Sequence, residues 1–419
     1  MKRVAITGCG AILPCGDDVS VAWNDVLSCS SWVKRNQKFD VSNYKSQVCA
    51  GVYLNDDIYN KYDFLVSAKE CRHLDDVEYV SLVASYNAMK DCGLLDNNNF
   101  DKTKFGSLVS SGIGGIKTIQ ETTRTLIERG NRRISPFFLT SSLINMCAGN
   151  VALKFGLKGA SMACVSACAT STHSIGEAFL SVKSGRLTGC LAGGSEMAVC
   201  ELGIGGFDAI NALSSRYNDN PSKASRALDK DRDGFVMGEG SVVLMVEELE
   251  HAKNRGAKIY CEIVGYSATC DAYHITSPDP EGAGASMAMK QAIADADISV
   301  KDIDYINLHG TSTPIGDVAE IEAIKKTFGE YYNKVAISSS KSVSGHLLGA
   351  TGALEAMFCA KSLETQTLIP SANIENLDDS CNGMNVVLKP AKKDINYVMS
   401  NSFGFGGTNG CLVFKKYEA

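Results

Sequence analysis

Short apolar runs of strand length alternate with amphipathic segments of helical spacing along nearly the whole chain, and this alternation restricts the fold more than any other feature. KRVAITG, GSLVSSG, GCLAGGS and SVVLMVEEL have the composition of buried strands. VEYVSLVASYNAMKDCG, STHSIGEAFLSVKSG, SMAMKQAIADA and VAEIEAIKKTFG carry apolar residues at helical spacing and end in Gly or a polar turn. The pattern predicts α/β layers rather than a bundle or a sandwich. The charged stretch EELEHAKNRGAK, residues 247–258, is the expected seam between two α/β runs, 1–255 and 256–419, the second opened by IYCEIVGYSAT. No short-period repeat is present, which removes the solenoid classes.

At 419 residues the chain can bury a large core, and 45% apolar with 21% charged residues argues against long disorder. A net charge of −6 excludes attraction of nucleic acid by the molecule as a whole; a polyanionic partner needs a local basic patch. The sixteen cysteines are scattered singly with no CxxC pair, so zinc-ribbon and thioredoxin readings have no basis. The opening MKRVAITGCGAILP has no signal-peptide run, and no apolar run is long enough to cross a bilayer. Most of the cysteines are therefore expected to be buried, reduced thiols in a reducing compartment.

Three features imitate binding motifs. GCG at 8–10 follows a strand, but Leu13 occupies the third glycine position of a dinucleotide fingerprint, and a tight turn is expected instead. DKDRDGFVMGEG, 229–240, places Asp229, Asp231, Asp233 and Gly234 as a calcium loop would, yet Gly240 stands where the bidentate glutamate belongs. It reads as a rigid polar loop leading into SVVLMV. His173 lies five residues after Cys168, on a different helical face, and is expected to be a packed structural histidine.

The chemistry concentrates in four loops. In SACATSTHSIGEAFLSV the stripe Ile175, Phe179 and Val182 starts a helix near Cys168 or Ala169. A thiol there feels the positive end of the helix dipole, which is expected to lower its pKa. Cys164 is expected in the incoming strand, without that activation. INLHGTSTPIGD places His309 at a strand-to-loop junction, with Asp317 and Glu320 spaced as a capping box for the next helix. SSSKSVSGHLLGATGALEAM places Lys341 and His346 in a strand-to-helix loop. NSFGFGGTNG, 401–410, is a glycine-dense loop between two strands whose bare N–H groups suit an oxyanion. A cysteine with two loop histidines suits nucleophilic catalysis with hydrogen-bond donation, although either histidine taken alone reads better as one that caps or satisfies a turn.

These four segments, in this order, resemble the signatures of β-ketoacyl-acyl-carrier-protein synthases, and RALDKDRDGFVMGEG and DAYHITSP extend the similarity along the chain. The Cys–His–His set resembles the elongating types I and II; initiating type III enzymes use Cys–His–Asn. SSGIGG and DAYHITSP look most like synthase II, whereas FDAINALSSRYND has features of synthase I. The resemblance implies the α/β thiolase fold, two pseudo-equivalent halves in five layers, paired as a homodimer. The first half, 1–255, would carry Cys168, and the second, 256–419, both histidines. SACATSTHSIGEAF and SGHLLGATGALEAM would be the same loop and helix in the two halves.

The implied reaction is a decarboxylating Claisen condensation with Cys168 as the acyl-accepting nucleophile. The backbone N–H groups of Cys168 and Phe405 would hold an oxyanion, and His309 and His346 would donate to the malonyl thioester carbonyl. Lys341 would give electrostatic support, with Glu355 as its partner on the substrate side. Thr311 and Thr313 match positions that contact a pantetheine arm, and Ile113 and Phe405 match an acyl-pocket gate. No metal, nucleotide or dissociable cofactor is implied, since the phosphopantetheine belongs to the acyl-carrier-protein partner. The expected docking patch is Lys69, Arg72, Arg129, Arg132 and Arg133. Neither nucleic acid nor a membrane is an expected partner, and the expected location is cytoplasmic. The rivals are a thiolase or type III initiator acting on coenzyme A thioesters, disfavoured by His346, a non-condensing subunit, disfavoured by Cys168, and a ketosynthase trimmed from a polyketide assembly line.

Overall fold

The computed structural model describes residues 1–95 and 100–418. Ten strands form one ladder: β1 (Val4–Ile12), β2 (Phe105–Ser110), β3 (Gly189–Glu196), β4 (Gly240–Glu248), β5 (Cys261–Cys270), β6 (Tyr305–Asn307), β7 (Ala336–Ser338), β8 (Asn385–Val386), β9 (Tyr397–Gly404) and β10 (Thr408–Lys415). Their order is β8-β7-β6-β9-β10-β5-β1-β4-β3-β2. The middle joint is short: β1 meets β5 only from Val4 opposite Ile263 to Ile6 opposite Cys261.

Outward from that joint both sides repeat one topology. The first strand pairs antiparallel with the last (β1 with β4, β5 with β10), and the last pairs antiparallel with the one before it. That strand in turn lies parallel to the second (β3 with β2, β9 with β6). The third strand of the second half is β7; its counterpart in the first is reduced to a parallel bridge between Ser107 and Ser161. Cys164 therefore follows this bridge in irregular chain, not in a strand as the sequence suggested. Its N–H is held by Ser110 Oγ at 3.0 Å.

Six helices complete the layers: α1 (Asp76–Asp91), α2 (Met146–Phe155), α3 (Thr170–Lys183), α4 (Ala283–Asp295), α5 (Pro314–Phe328) and α6 (Thr351–Thr365). Strand side chains alternate between two buried faces. Val242, Leu244 and Val246 of β4 face the central layer with Ile175, Phe179 and Val182 of α3 and Leu354 and Phe358 of α6. Val243 and Met245 face outward onto the layer of α1 and α2. In the second half Leu412 and Phe414 point to the centre, and Cys411 and Val413 toward α4 and α5. The result is helix, sheet, helix, sheet, helix. Burial on both faces explains why the strands read as continuous apolar runs, at roughly 1.5–3 kcal/mol for each large side chain removed from water.

Gly8-Cys9-Gly10 is not a turn. It lies within β1, where α1 crosses so closely that a Cβ on Gly10 would stand 2.1 Å from the Ala84 carbonyl oxygen. The tight-turn expectation fails because helix-on-strand packing, not chain reversal, requires those glycines. At the seam, buried Glu247 accepts from Thr7, His251 and Arg255, which holds its carboxyl below the ordinary range despite burial.

Candidate active site

The central helices α3 and α6 begin alike. Each follows one turn of 3₁₀ helix, Ala167–Ala169 and Leu348–Ala350, and each turn opens with a non-glycine residue in the left-handed region, Ala167 at φ 50° and Leu348 at φ 49°. Such backbone costs about 1–3 kcal/mol at each position and persists only where the surroundings fix it. The Ile175, Phe179 and Val182 stripe is buried as the sequence predicts. The equivalence places Cys168 opposite Gly349, so the rhyme between the loops is structural, and His346 enters from three residues earlier. Gly349 packs against the loop after β2: an added Cβ would lie 2.3 Å from the Gly112 amide nitrogen. Glu196, at the end of β3, binds both loops, accepting from Ser111 Oγ and the N–H groups of Gly112, Ile113 and Gly349.

His309 follows β6. Its N–H and that of Gly310 donate to the buried Glu320 carboxylate at 2.9 and 2.7 Å, and Asn401 Nδ2 adds a third donor. The expected capping box does not form. α5 starts at Pro314, four residues before the apolar spacing suggested, so Asp317 lies past the cap. Asp317 instead accepts from the N–H groups of Leu228 and Ser312. Glu320 positions the histidine loop, a role that its spacing disguised.

His346 is pinned by the loop that imitates a calcium site. Its N–H donates to the Val236 carbonyl, and the Gly238 N–H donates to the His346 carbonyl, both at 2.8 Å. Phe235 packs edge-on to the imidazole at 5.3 Å. In the same loop Arg232 donates to the carbonyls of Thr313 and Pro314, tying the histidine loops together. This is the rigid polar loop leading into β4 that the sequence predicts.

Ring nitrogens of His309 and His346 and the Cys168 sulfur all lie within 4.8 Å of one another. The two rings are nearly perpendicular, with centroids 5.4 Å apart. Burial, with the Lys341 charge second, holds both imidazoles well below their ordinary pKa, so both are neutral at physiological pH. His346 Nδ1 shares a hydrogen bond with Thr351 Oγ1 at 2.9 Å. The expectation of a lowered Cys168 pKa is reversed. Burial pushes the thiol up to about 11, outweighing the Lys341 charge and the N–H groups of Phe405 and of Cys168 itself. Those two N–H groups come from different segments and converge on the same place.

A cavity of about 400 Å³ opens onto this centre, walled by Phe207, Ile210, Phe235, Ile315, Phe403 and Phe405. Cys168, His309, His346, Thr311 and Thr313 also reach it, and the two threonine hydroxyls are 3.1 Å apart. Lys341 does not line it; wholly buried, it forms an ion pair with Glu355. Glu355 is likewise off the substrate side, contrary to expectation, because α6 buries it completely; its carboxyl is pushed up to about 8. Ile113 does not line the cavity; it stands back in the apolar cluster that also contains the cavity-lining Phe207 and Phe235. Phe405 occupies the three-residue turn between β9 and β10, which is all that remains of the predicted loop. His173 is a packed histidine as expected, bonded to Ser166 and Asn409.

Cys168, His309 and His346 are also, among the described residues, the one group spaced to hold a metal ion. The donor set would suit zinc, but a resident zinc fixes each histidine through its other nitrogen, and buried His309 Nδ1 has no partner. The arrangement fits a nucleophile with two neutral donors better than a metal centre.

The layered halves and the cysteine–histidine–histidine centre define a condensing enzyme of the thiolase fold. Residues 1–252 match the family model for the β-ketoacyl synthase N-terminal domain, and 260–375 that for the C-terminal domain. The chain belongs to the β-ketoacyl synthase family, an acyltransferase class. It is 44% identical to 3-oxoacyl-[acyl-carrier-protein] synthase 2 of Coxiella burnetii over 99% of both chains. It is 45% identical to the protein of that name from Staphylococcus aureus, over 100% of this chain and 99% of that one. A β-ketoacyl synthase structure from Burkholderia phymatum superposes with a TM-score of 0.92 at 33% identity, covering both chains completely. A type II polyketide ketosynthase, solved in complex with its acyl-carrier protein, gives 0.90 at 30% identity over 99% of this chain and all of that one. No helix among the described residues is long and apolar enough to cross a membrane.

Proposed function

We propose that the chain is a type II elongating 3-oxoacyl-[acyl-carrier-protein] synthase. The Cys168 sulfur attacks the thioester carbonyl of an acyl-carrier protein, and the proton its thiol loses passes to the departing phosphopantetheine sulfur. The backbone N–H groups of Cys168 and Phe405 hold the tetrahedral oxyanion, and collapse expels the phosphopantetheine thiol. A malonyl-carrier protein then loses CO2, and Nε2–H groups of neutral His309 and His346 hold the enolate oxygen. A hydroxyl donated from Thr351 to His346 Nδ1 leaves the proton on Nε2, as this step requires. The enolate carbon attacks the acyl-Cys168 carbonyl, the C–S bond breaks, 3-oxoacyl-carrier protein leaves, and the released Cys168 thiolate takes up a proton from solvent. Each well-placed oxyanion donor contributes about a hundredfold or more to the rate.

Lys341, neutralised in part by Glu355, keeps the histidines uncharged. Thr311 and Thr313 receive the pantetheine arm, and Phe405, backed by Phe207 and Ile113, gates the acyl chain. The enzyme needs no dissociable cofactor, because the phosphopantetheine is the partner's. Exposed Lys69, Arg72, Arg129, Arg132 and Arg133 form the docking patch for that acidic partner; His73 stacked on Phe137 at 3.8 Å supports this by bringing their segments together. A homodimer is supported by exposed Leu139, Leu143, Leu153, Met162 and Val165 around the edge beyond β2. The halves divide at 255/256, where the chain turns at Gly256 into β5. A reducing cytoplasm suits sixteen free thiols.

The observation that carries this reading is the convergence of Cys168, His309 and His346 within 4.8 Å beside two backbone N–H groups. The purified chain, given acyl- and malonyl-carrier proteins, should form 3-oxoacyl-carrier protein and CO2 in equal amounts, and Cys168→Ala should form none. Turnover with coenzyme A thioesters alone would overturn the reading.

A further inference from the structure

Besides the nucleophile and the histidines, the oxyanion site depends on the relative placement of two separate segments. One N–H belongs to the turn before α3, the other to the turn between β9 and β10. Ser166, just before the strained Ala167, is the point where these segments meet. Its N–H donates to Thr170 Oγ1 at 2.9 Å, and its carbonyl accepts from Thr408 Oγ1 at 3.0 Å. Its hydroxyl is 2.6 Å from His173 Nδ1, and His173 Nε2 is 3.2 Å from the Asn409 carbonyl.

The chemistry of the partners fixes the direction of this chain. A carbonyl oxygen only accepts, so Nε2 carries the proton; Nδ1 is then a bare lone pair, and the Ser166 hydroxyl must donate to it. His173 is half-buried, and desolvation lowers its pKa, which favours the neutral ring and that tautomer. Asn409 lies in β10 opposite Phe403, two residues before Phe405. A fixed relay thus runs from the residue two before Cys168 to the hairpin that supplies the second oxyanion donor.

We propose that His173 is a positioning residue: through Ser166 and Asn409 it sets the spacing of the Cys168 and Phe405 N–H groups. It touches neither substrate nor sulfur. This rests on the function proposed above and adds a determinant for its acyl-transfer steps. A misplacement approaching 1 Å costs on the order of a hundredfold in such reactions.

The test compares two rates at Cys168, acylation by acyl-carrier protein and alkylation by chloroacetamide, each followed by intact mass. Alkylation displaces chloride at a saturated carbon and builds no oxyanion, so it reports thiol exposure and ionisation without the spacing of the N–H groups. Ser166→Ala removes one hydroxyl and His173→Gln removes the Nδ1 acceptor. Each should slow acylation about tenfold or more and leave alkylation within twofold, and the double variant should be no worse than the slower single one. His173→Asn, whose amide oxygen can accept from Ser166, should recover part of the loss. Acylation at the parental rate in Ser166→Ala, or equal losses in both rates, would overturn the proposal. Failure of the unaltered protein to acylate would instead count against the function itself.

Discussion

Gly404 offers the sharpest steric test of the oxyanion geometry. It precedes Phe405, and its backbone packs directly on the nucleophile turn. A Cβ there would lie 2.7 Å from the Ser166 carbonyl oxygen, 2.7 Å from Thr408 Oγ1 and 3.1 Å from the Cys168 amide nitrogen. Ordinary contact begins near 3.4 Å, so Gly404→Ala must open the gap by about 0.7 Å. Two of the three obstructing atoms are backbone, and neither can rotate away. That displacement is a large fraction of the 1 Å that costs about a hundredfold, so acylation should slow roughly 10- to 100-fold. Overpacking at this level costs about 1–3 kcal/mol of stability, which a large enzyme can absorb. Single-turnover acylation by acyl-carrier protein, with thermal unfolding in parallel, measures both effects. Acylation within twofold of the parent in a folded Gly404→Ala protein would refute the argument that the two segments touch here.

Three further predictions concern charge. Glu78 of α1 is buried with neither carboxylate oxygen partnered, and burial pushes its pKa up to about 8 from an ordinary 4.5. The folded state therefore binds the extra proton between those values, and stability falls as pH rises through them, by at most about 1.4 kcal/mol per pH unit. Glu78→Gln should be near neutral at pH 4.5 and stabilising by roughly 3–4 kcal/mol at pH 7.5 in urea unfolding; a pH-independent difference would contradict it. Lys341→Met should let the pKa of both His309 and His346 rise, since the Lys341 charge depresses both. The acid limb of the kcat profile should then move to higher pH, and an unmoved limb would remove Lys341 from the electrostatics. Arg132→Glu with Arg133→Glu should raise KM for the carrier protein about tenfold at low salt with kcat held, an effect that shrinks as salt screens it. An unchanged KM would move the docking patch elsewhere.

What the sequence made legible was whatever depends on local pattern. Strands buried on both faces and helices with one apolar stripe were visible because period and composition record them, and the positions of Cys168, His309 and His346 followed from their loops. Residues acting across the fold were not visible. Glu196 is a lone carboxylate closing an apolar strand, and only the approach of the loops around Gly112 and Gly349 reveals what it binds. Glu320 was disguised as a helix cap because its distance from Asp317 fits one. The direction of the Cys168 shift is not legible in the sequence because a helix terminus is local whereas desolvation belongs to the assembled pocket. Gly8 and Gly10 misled for the same reason: their constraint is a helix that begins at Asp76.

The central claim is that Cys168 alone receives the acyl group. Intact mass and peptide mapping after mixing with acyl-carrier protein test it directly, since half-buried Cys164 lies only four residues away as an internal control. The account predicts one acyl group per chain, mapped to Cys168, absent in Cys168→Ala and discharged on adding malonyl-carrier protein. An adduct on Cys164, or one on Cys168 that malonyl-carrier protein leaves in place, would contradict it.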